Sequence, residues 1–299
     1  MSLLEAIVLG LVQGLTEFLP VSSTAHLRLA PELFGWRDPG AAYSAVIQLG
    51  TTAAVLVYFA RDIARLAAAW VQGLVQRAPF GTLDSRLAWY VGLGTIPIGL
   101  AGLTFKRAIE THLRSLYVIA LALITLALVL WWVERRATHA RGLEQMTLKD
   151  GLVVGLWQAL ALVPGSSRSG TTITGGLLLG LTREAAARYS FLLSIPATLL
   201  AGVFELKHLL ESSAAERPSG VAMAVGAAVA FASGLAAIAG LLGYLRRRSM
   251  AVFIVYRLVL GTLLLVLLAA GVLKPLSGAE NLDVPEKPLQ TPAPKQVTD

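Results

Sequence analysis

The 299-residue chain contains no cysteine. Disulfides, thiol catalysis and thiolate metal sites are therefore excluded. Its four histidines form no H-x-x-x-H pattern, which speaks against a zinc site. Charge is scarce as well. Charged residues are 14% of the chain, where a soluble domain carries about a quarter. No lysine or arginine precedes Arg28, so no signal-peptide n-region is expected. Period-two alternation is missing from the apolar stretches, which argues against a β-barrel. What is abundant is hydrocarbon: 56% hydrophobic residues and a mean hydropathy of +0.68. These features predict an all-α polytopic membrane protein. The net charge of +7 suits anionic lipid and basic cytoplasmic loops, and nucleic acid is not an expected partner.

Two apolar stretches are too short to cross a bilayer. Leu3 to Leu15 and Gly151 to Val163 each hold about 13 residues, against the roughly 20 a spanning helix needs. Each runs into a polar break, at Pro20-Val21-Ser22-Ser23 and at Pro164-Gly165-Ser166-Ser167, and each break is followed by another short helical pattern. Both read as re-entrant helical hairpins. Six full spans are expected around them, at residues 41–60, 86–105, 115–133, 183–206, 219–245 and 250–273. Residues 61–83 read as a basic interfacial connection, a kink is expected near Gly94 and Pro97, and 106–114 and 207–218 read as polar loops. The chain is expected to form one membrane domain, 1–273, with a disordered polar tail over 274–299.

The two halves repeat. Gly10-Leu11-Val12-Gln13 matches Gly155-Leu156-Trp157-Gln158, the two Pro-x-Ser-Ser breaks match, and Ala41-Ala42-Tyr43-Ser44 echoes Ala187-Arg188-Tyr189-Ser190. Repeat 1 covers about 1–134 and repeat 2 about 148–273. Three spans lie between the copies, so the repeat is expected to have inverted topology, with both breaks meeting near the midplane.

The breaks carry the chemistry. Arg168 in an apolar setting is a functional-site hypothesis by default, and its planar fork suits phosphate oxygens. Ser166, Ser167, Ser169 and Thr172 are candidate phosphate donors beside it, with Ser22 and Thr24 from the first break. The plainer alternative is a serine N-cap with a snorkelling arginine. Gln13 and Glu17 are four apart and share a helix face. They are candidate ligands for a hard cation such as Mg²⁺. Glu17 also suits a base, a cap for the facing break, or a partner for Arg168. Ser23 and His26 are three apart, which allows histidine to act as base for the hydroxyl or as nucleophile itself.

The stretch Gln13 to His26 resembles the (E/Q)-x-x-x-E and P-V-S-S-T-G-H signature of the undecaprenyl-pyrophosphate phosphatase family, BacA/UppP. Pro164 to Thr172 is similar to that family's P-G-x-S-R-S-x-x-T, and Ile47-Gln48-Leu49-Gly50 also fits. Ala25 stands where the family usually has glycine, and Gln13 removes one negative charge from any metal site. The resemblance implies hydrolysis of undecaprenyl pyrophosphate to the monophosphate, recycling the lipid carrier for peptidoglycan synthesis, and bacitracin resistance. It implies use of a divalent cation, Mg²⁺ or Ca²⁺, and a bacterial inner-membrane location with the site open to the periplasm. The implied catalytic residues are Glu17, Ser23, His26 and Arg168. The expected partners are the polyprenyl pyrophosphate and membrane lipid, with a homodimer left open. The competing class is a transporter, because inverted repeats with broken helices also build transporters. Clustered Ser23, Glu17 and His26 favour chemistry, since transport needs no nucleophile.

Overall fold

The computed structural model describes residues 1–37, 40–105, 109, 113, 115–211 and 219–276. Eleven α-helices are described: α1 (Leu3–Phe18), α2 (Ser23–Phe34), α3 (Gly40–Tyr58), α4 (Ala60–Val75), α5 (Leu83–Thr104), α6 (Leu116–Arg136), α7 (Leu148–Ala159), α8 (Arg168–Leu178), α9 (Arg183–Glu211), α10 (Gly220–Leu245) and α11 (Ala251–Ala269). No strand occurs among the described residues. Among the described residues, five helices are long and apolar enough to cross a membrane: α5, α6, α9, α10 and α11. A sixth span results only if α3 and α4, bent by 69° at Phe59, are taken together. The six expected spans are thus five, or six with that bent pair. Pro97 lies inside α5, which continues through it as one helix.

Both short hairpins form as helix–break–helix units. α1 is capped by a reciprocal Ser2–Glu5 box and α7 by Thr147–Asp150, so each half opens on the same device. The contacts of one half recur in the other. α1 and α3 pack on α10, while α7 and α9 pack on α5; α6 pairs with α11 and α3 with α9. The matched glycines explain the first of these pairings. A Cβ on Gly10 would lie 2.5 Å from the Gly226 carbonyl oxygen, and a Cβ on Gly155 would meet the Gly94 backbone. Each glycine lets two helix backbones touch, which is how helices pack tightly in lipid. The matched tyrosines sit beside these contacts. Tyr43 donates to Ala6 O (2.7 Å), and the Tyr189 hydroxyl lies against Gly94 and Gly151.

At one end of the bundle, charge fastens the loops. Arg141 binds Asp150 (2.6 Å) and the Leu179 carbonyl (2.7 Å), and Arg183 binds Glu134 (2.7 Å). Burial pushes the Asp150 carboxyl up, but hydrogen bonds from Arg141 and Thr147 outweigh it and hold it below its ordinary range. Residues 274–276 continue from α11, with Leu116 N–H donating to Pro275 O (2.8 Å). The rest of the expected tail, 277–299, lies outside the described residues, as do 212–218 and most of the loop expected at 106–114.

Gly155→Val forces α5 and α7 apart. Overpacking of this kind costs about 1–3 kcal/mol. Thermal unfolding in detergent should show a clear loss for Gly155→Val and for Gly10→Val. Gly99→Val, where a side chain meets nothing within 4 Å, should leave the midpoint unchanged. Equal midpoints for all three would refute the close-packing role.

Candidate functional site

The first break begins where α1 stops at Phe18, whose ring packs edge-on against Phe191 of α9 (5.6 Å). Glu17 is thereby held in the last turn of α1, one turn beyond Gln13. Ser22 then adopts φ 75° and caps α2 by accepting from Ala25 N–H. The second break passes through a short 3₁₀ turn, Leu160–Leu162, to Gly165 and Ser167. Gly165 has φ 91°, and a Cβ there would lie 2.5 Å from the Ile119 carbonyl oxygen, so only glycine fits. Ser167 adopts φ 67° and caps α8 by accepting from Gly170 N–H (3.2 Å). Positive φ is uncommon for serine. It recurs at the N-cap of the returning helix in both halves, immediately before the residues that face the site.

The breaks meet around a cavity of about 160 Å³. Thr16, Glu17, Ser22, Ser23, Thr24, Gln48, Ser167 and Arg168 supply its polar lining. Drug-sized ligands occupy pockets of roughly 300 Å³ and above. This one is smaller, of a size for a compact polar group. Arg168 Nη2 donates to Glu17 Oε1 (2.9 Å), joining the two halves. Both side chains are largely buried, at 12% and 9% exposure. Ser23 Oγ donates to the other carboxylate oxygen, Oε2 (2.8 Å), and Gln13 Nε2 approaches the same oxygen at 3.3 Å. Arg168 Nη1 is buried and has no partner. Arg168 thus stands at the first position of α8, and it shares the Glu17 carboxylate with the Ser23 hydroxyl.

Several sequence candidates fall elsewhere. Ser169, Thr172 and Ser166 are almost completely buried and do not line the cavity. Ser169 donates to Leu19 O of the facing break (3.1 Å), and Thr172 donates to Arg168 O (2.7 Å). Ser169 thereby ties the two breaks together, while Thr172 bonds within α8 and meets the Ser190 hydroxyl of α9. Ser23 and His26 share a helix without touching, and the Ser23 proton goes to Glu17. His26 Nδ1 lies 2.7 Å from the Ser22 carbonyl, which can only accept, so Nδ1 carries the proton. Nε2 then accepts from the Tyr256 hydroxyl on α11 (2.5 Å), and the two rings stack. Burial pushes the imidazole below its ordinary value. Both ring nitrogens are engaged, and His26 does not line the cavity.

Gln48 was legible only as part of a family motif. It lines the cavity, and its Oε1 accepts from Gln13 Nε2 (2.7 Å). A glutamine inside an apolar span is the signal that marks it. Tyr256 and its neighbour Arg257 carry the same signal on α11.

Among the described residues, no three of His, Asp and Glu gather as a metal site. The donors are a single carboxylate, Glu17, and Gln13, whose Oε1 is buried without a partner. Oxygen donors fit a hard cation that completes its shell with phosphate oxygens and water.

The sequence matches the family described as Bacitracin resistance protein BacA over residues 6–263. It is 69% identical to a protein of Myxococcus xanthus named undecaprenyl-diphosphatase, over the full length of both chains. Proteins of the same name from Chloroherpeton thalassium and Prosthecochloris aestuarii are 53% and 51% identical. They cover 92% and 91% of this chain and 99% of their own. With paired breaks, an arginine–carboxylate bridge between them and a match across nearly all of the membrane-embedded chain, the protein belongs to the BacA bacitracin resistance family.

Proposed function

We propose that the chain removes the terminal phosphate of undecaprenyl diphosphate, leaving the monophosphate carrier. The observation that supports it is the arrangement of Ser23, Glu17 and Arg168 in a cavity of a size for a compact polar group. The lipid chain stays in the bilayer while its diphosphate enters. An incoming phosphate competes with Glu17 for Arg168. Glu17 is then released to take the Ser23 proton, whose hydroxyl already points at it. The Ser23 oxygen attacks the terminal phosphorus, and the bridging P–O bond breaks to release the lipid monophosphate. Water next attacks the phosphoserine and frees inorganic phosphate. Arg168 and the N–H groups at the start of α8 neutralise charge on the transferred group. His26, with both nitrogens occupied, braces α2 against α11 in this scheme. A cation, Mg²⁺ or Ca²⁺, would be held by Glu17 assisted by Gln13; when bound, it supplies charge neutralisation for the diphosphate.

We extend the reading to carrier recycling for peptidoglycan synthesis, with bacitracin resistance following from lower levels of the diphosphate. The two matched halves support an inverted-topology repeat. With α3 and α4 as one bent span there are six crossings. The connection read as 61–83 then shortens to 76–82, after α4, and shares the cytoplasmic face with the basic loops at 134–150 and 246–249. Both termini and the mouth of the site face the periplasm. The Ser23–Glu17 contact favours catalysis over transport.

Rapid quenching of the purified protein with labelled substrate tests the chemistry. An acid-stable phosphoserine at Ser23 is expected. It should form in His26→Gln, fail in Ser23→Ala, and need Mg²⁺ or Ca²⁺ restored after chelation. Glu17→Gln should lower its rate about 10²–10³-fold. An acid-labile phosphohistidine at His26 refutes the serine scheme, and full turnover of Glu17→Gln in chelator refutes the metal role.

The lack of native cysteine makes topology directly testable. An impermeant maleimide should label Thr298→Cys in intact cells and label Ser249→Cys only after permeabilisation. The reverse pattern would overturn the orientation.

A further inference from the structure

Arg257 lies within α11 at 1% exposure, among the largest fully buried side chains of the protein. Among the described residues it pairs with no carboxylate, and its hydrogen bonds go to backbone carbonyls: Nε to Leu123 O (3.4 Å), and Nη2 to Ala122 O (3.3 Å), Ser166 O (3.0 Å) and Gly165 O (3.5 Å). Nη1 lies against Gly170 in the first turn of α8, where a Cβ would come within 2.6 Å of it. An uncompensated guanidinium deep in a membrane protein is costly and calls for a function.

The position of those carbonyls supplies one. Ser166 C=O and Ser167 N–H belong to one planar trans peptide and point in opposite directions. Holding the carbonyl on Arg257 turns the Ser167 N–H away from α11, and Ser167 lines the cavity. The first N–H groups of a helix have no intrahelical acceptor, so the start of α8 presents free donors. Charge matters too. Arg168 and Glu17 neutralise each other within the cavity. Arg257, directly behind the break, leaves the region with a net positive charge. Gly170 clears the space it needs.

We propose that Arg257 is a positioning residue for the phosphoryl-transfer step. It fixes the 165–167 peptides so that the Ser167 N–H and Arg168 face the transferred phosphate, and its charge adds to the field there. The inference rests on the phosphatase reading, and its test separates the two.

The full chain in detergent is assayed with farnesyl diphosphate as substrate and orthovanadate as a mimic of the transferred phosphate. Thermal unfolding reports folding. Folded Arg257→Met should lose about 100-fold in kcat, the scale of one transition-state donor, with KM changed less than threefold. Its vanadate affinity should fall at least tenfold. Arg257→Lys keeps charge without the fork and should be intermediate, and it serves as the test variant if the methionine protein does not fold. Arg257→Met combined with Arg168→Lys should be little slower than Arg168→Lys alone, because the two act as a unit. A folded variant with unchanged vanadate affinity, or a rate loss that only tracks the fraction folded, overturns the assignment. Vanadate binding by the native chain without phosphate release would sink the phosphatase reading. Arg257 would then be judged on vanadate affinity alone.

Discussion

The site depends on the contact between Glu17 and Arg168. These residues lie 151 positions apart, one in the last turn of a half-length helix and the other at the first position of another. Neither charge is stable alone in a low-dielectric interior. Removing one partner of a buried pair typically costs about 3–5 kcal/mol. The pair therefore requires both breaks to be present and in register. A substrate phosphate is a third charge that can replace the carboxylate on the arginine, so the resting contact and the working one share a donor.

Register is set by the surrounding scaffold. Gly10 on Gly226 and Gly155 on Gly94 bring helix backbones into direct contact on both sides. Ser169 links α8 to the Leu19 carbonyl, which ties one break to the other. Two consecutive residues of α11 then hold one hairpin each. Tyr256 bonds His26 of α2, and Arg257 bonds the carbonyls at the second break. Strain is accepted at Ser22 and Ser167, whose positive φ aims the next residue at the cavity. A non-glycine residue held in a sparsely populated region costs on the order of 1–3 kcal/mol, and such residues gather at functional sites.

The sequence made the frame, and part of the cavity lining, legible for physical reasons. Short apolar stretches beside Pro-x-Ser-Ser revealed the hairpins, because hydrocarbon length is a hard constraint. The four-residue spacing of Gln13 and Glu17 correctly placed both on one face, and their hydrogen bond follows. Spacing failed where direction is decided by packing. Ser23 and His26 are three apart, yet one turns to Glu17 and the other to Tyr256. Ser169 and Thr172 carry the right groups but sit on the packed side of α8. The bend between α3 and α4 was not visible, since Ala60 to Val75 reads as an amphipathic surface segment until Asp62 meets Arg188 (2.8 Å). Arg257 was visible by the same reasoning that singled out Arg168, an arginine in an apolar helix. It lacked neighbouring hydroxyls and glycines, and only the fold shows which carbonyls it serves.

The most direct measurement is a double-mutant cycle on the bridge itself. Unfolding of Glu17→Gln, Arg168→Gln and the double variant is followed in detergent without substrate. The account predicts that each single change is strongly destabilising and that the double variant recovers much of the loss. The coupling should then be about 1 kcal/mol or more, as for residues in one charged network. Additive losses would show that the two charges do not meet, and the site described between the breaks would not exist.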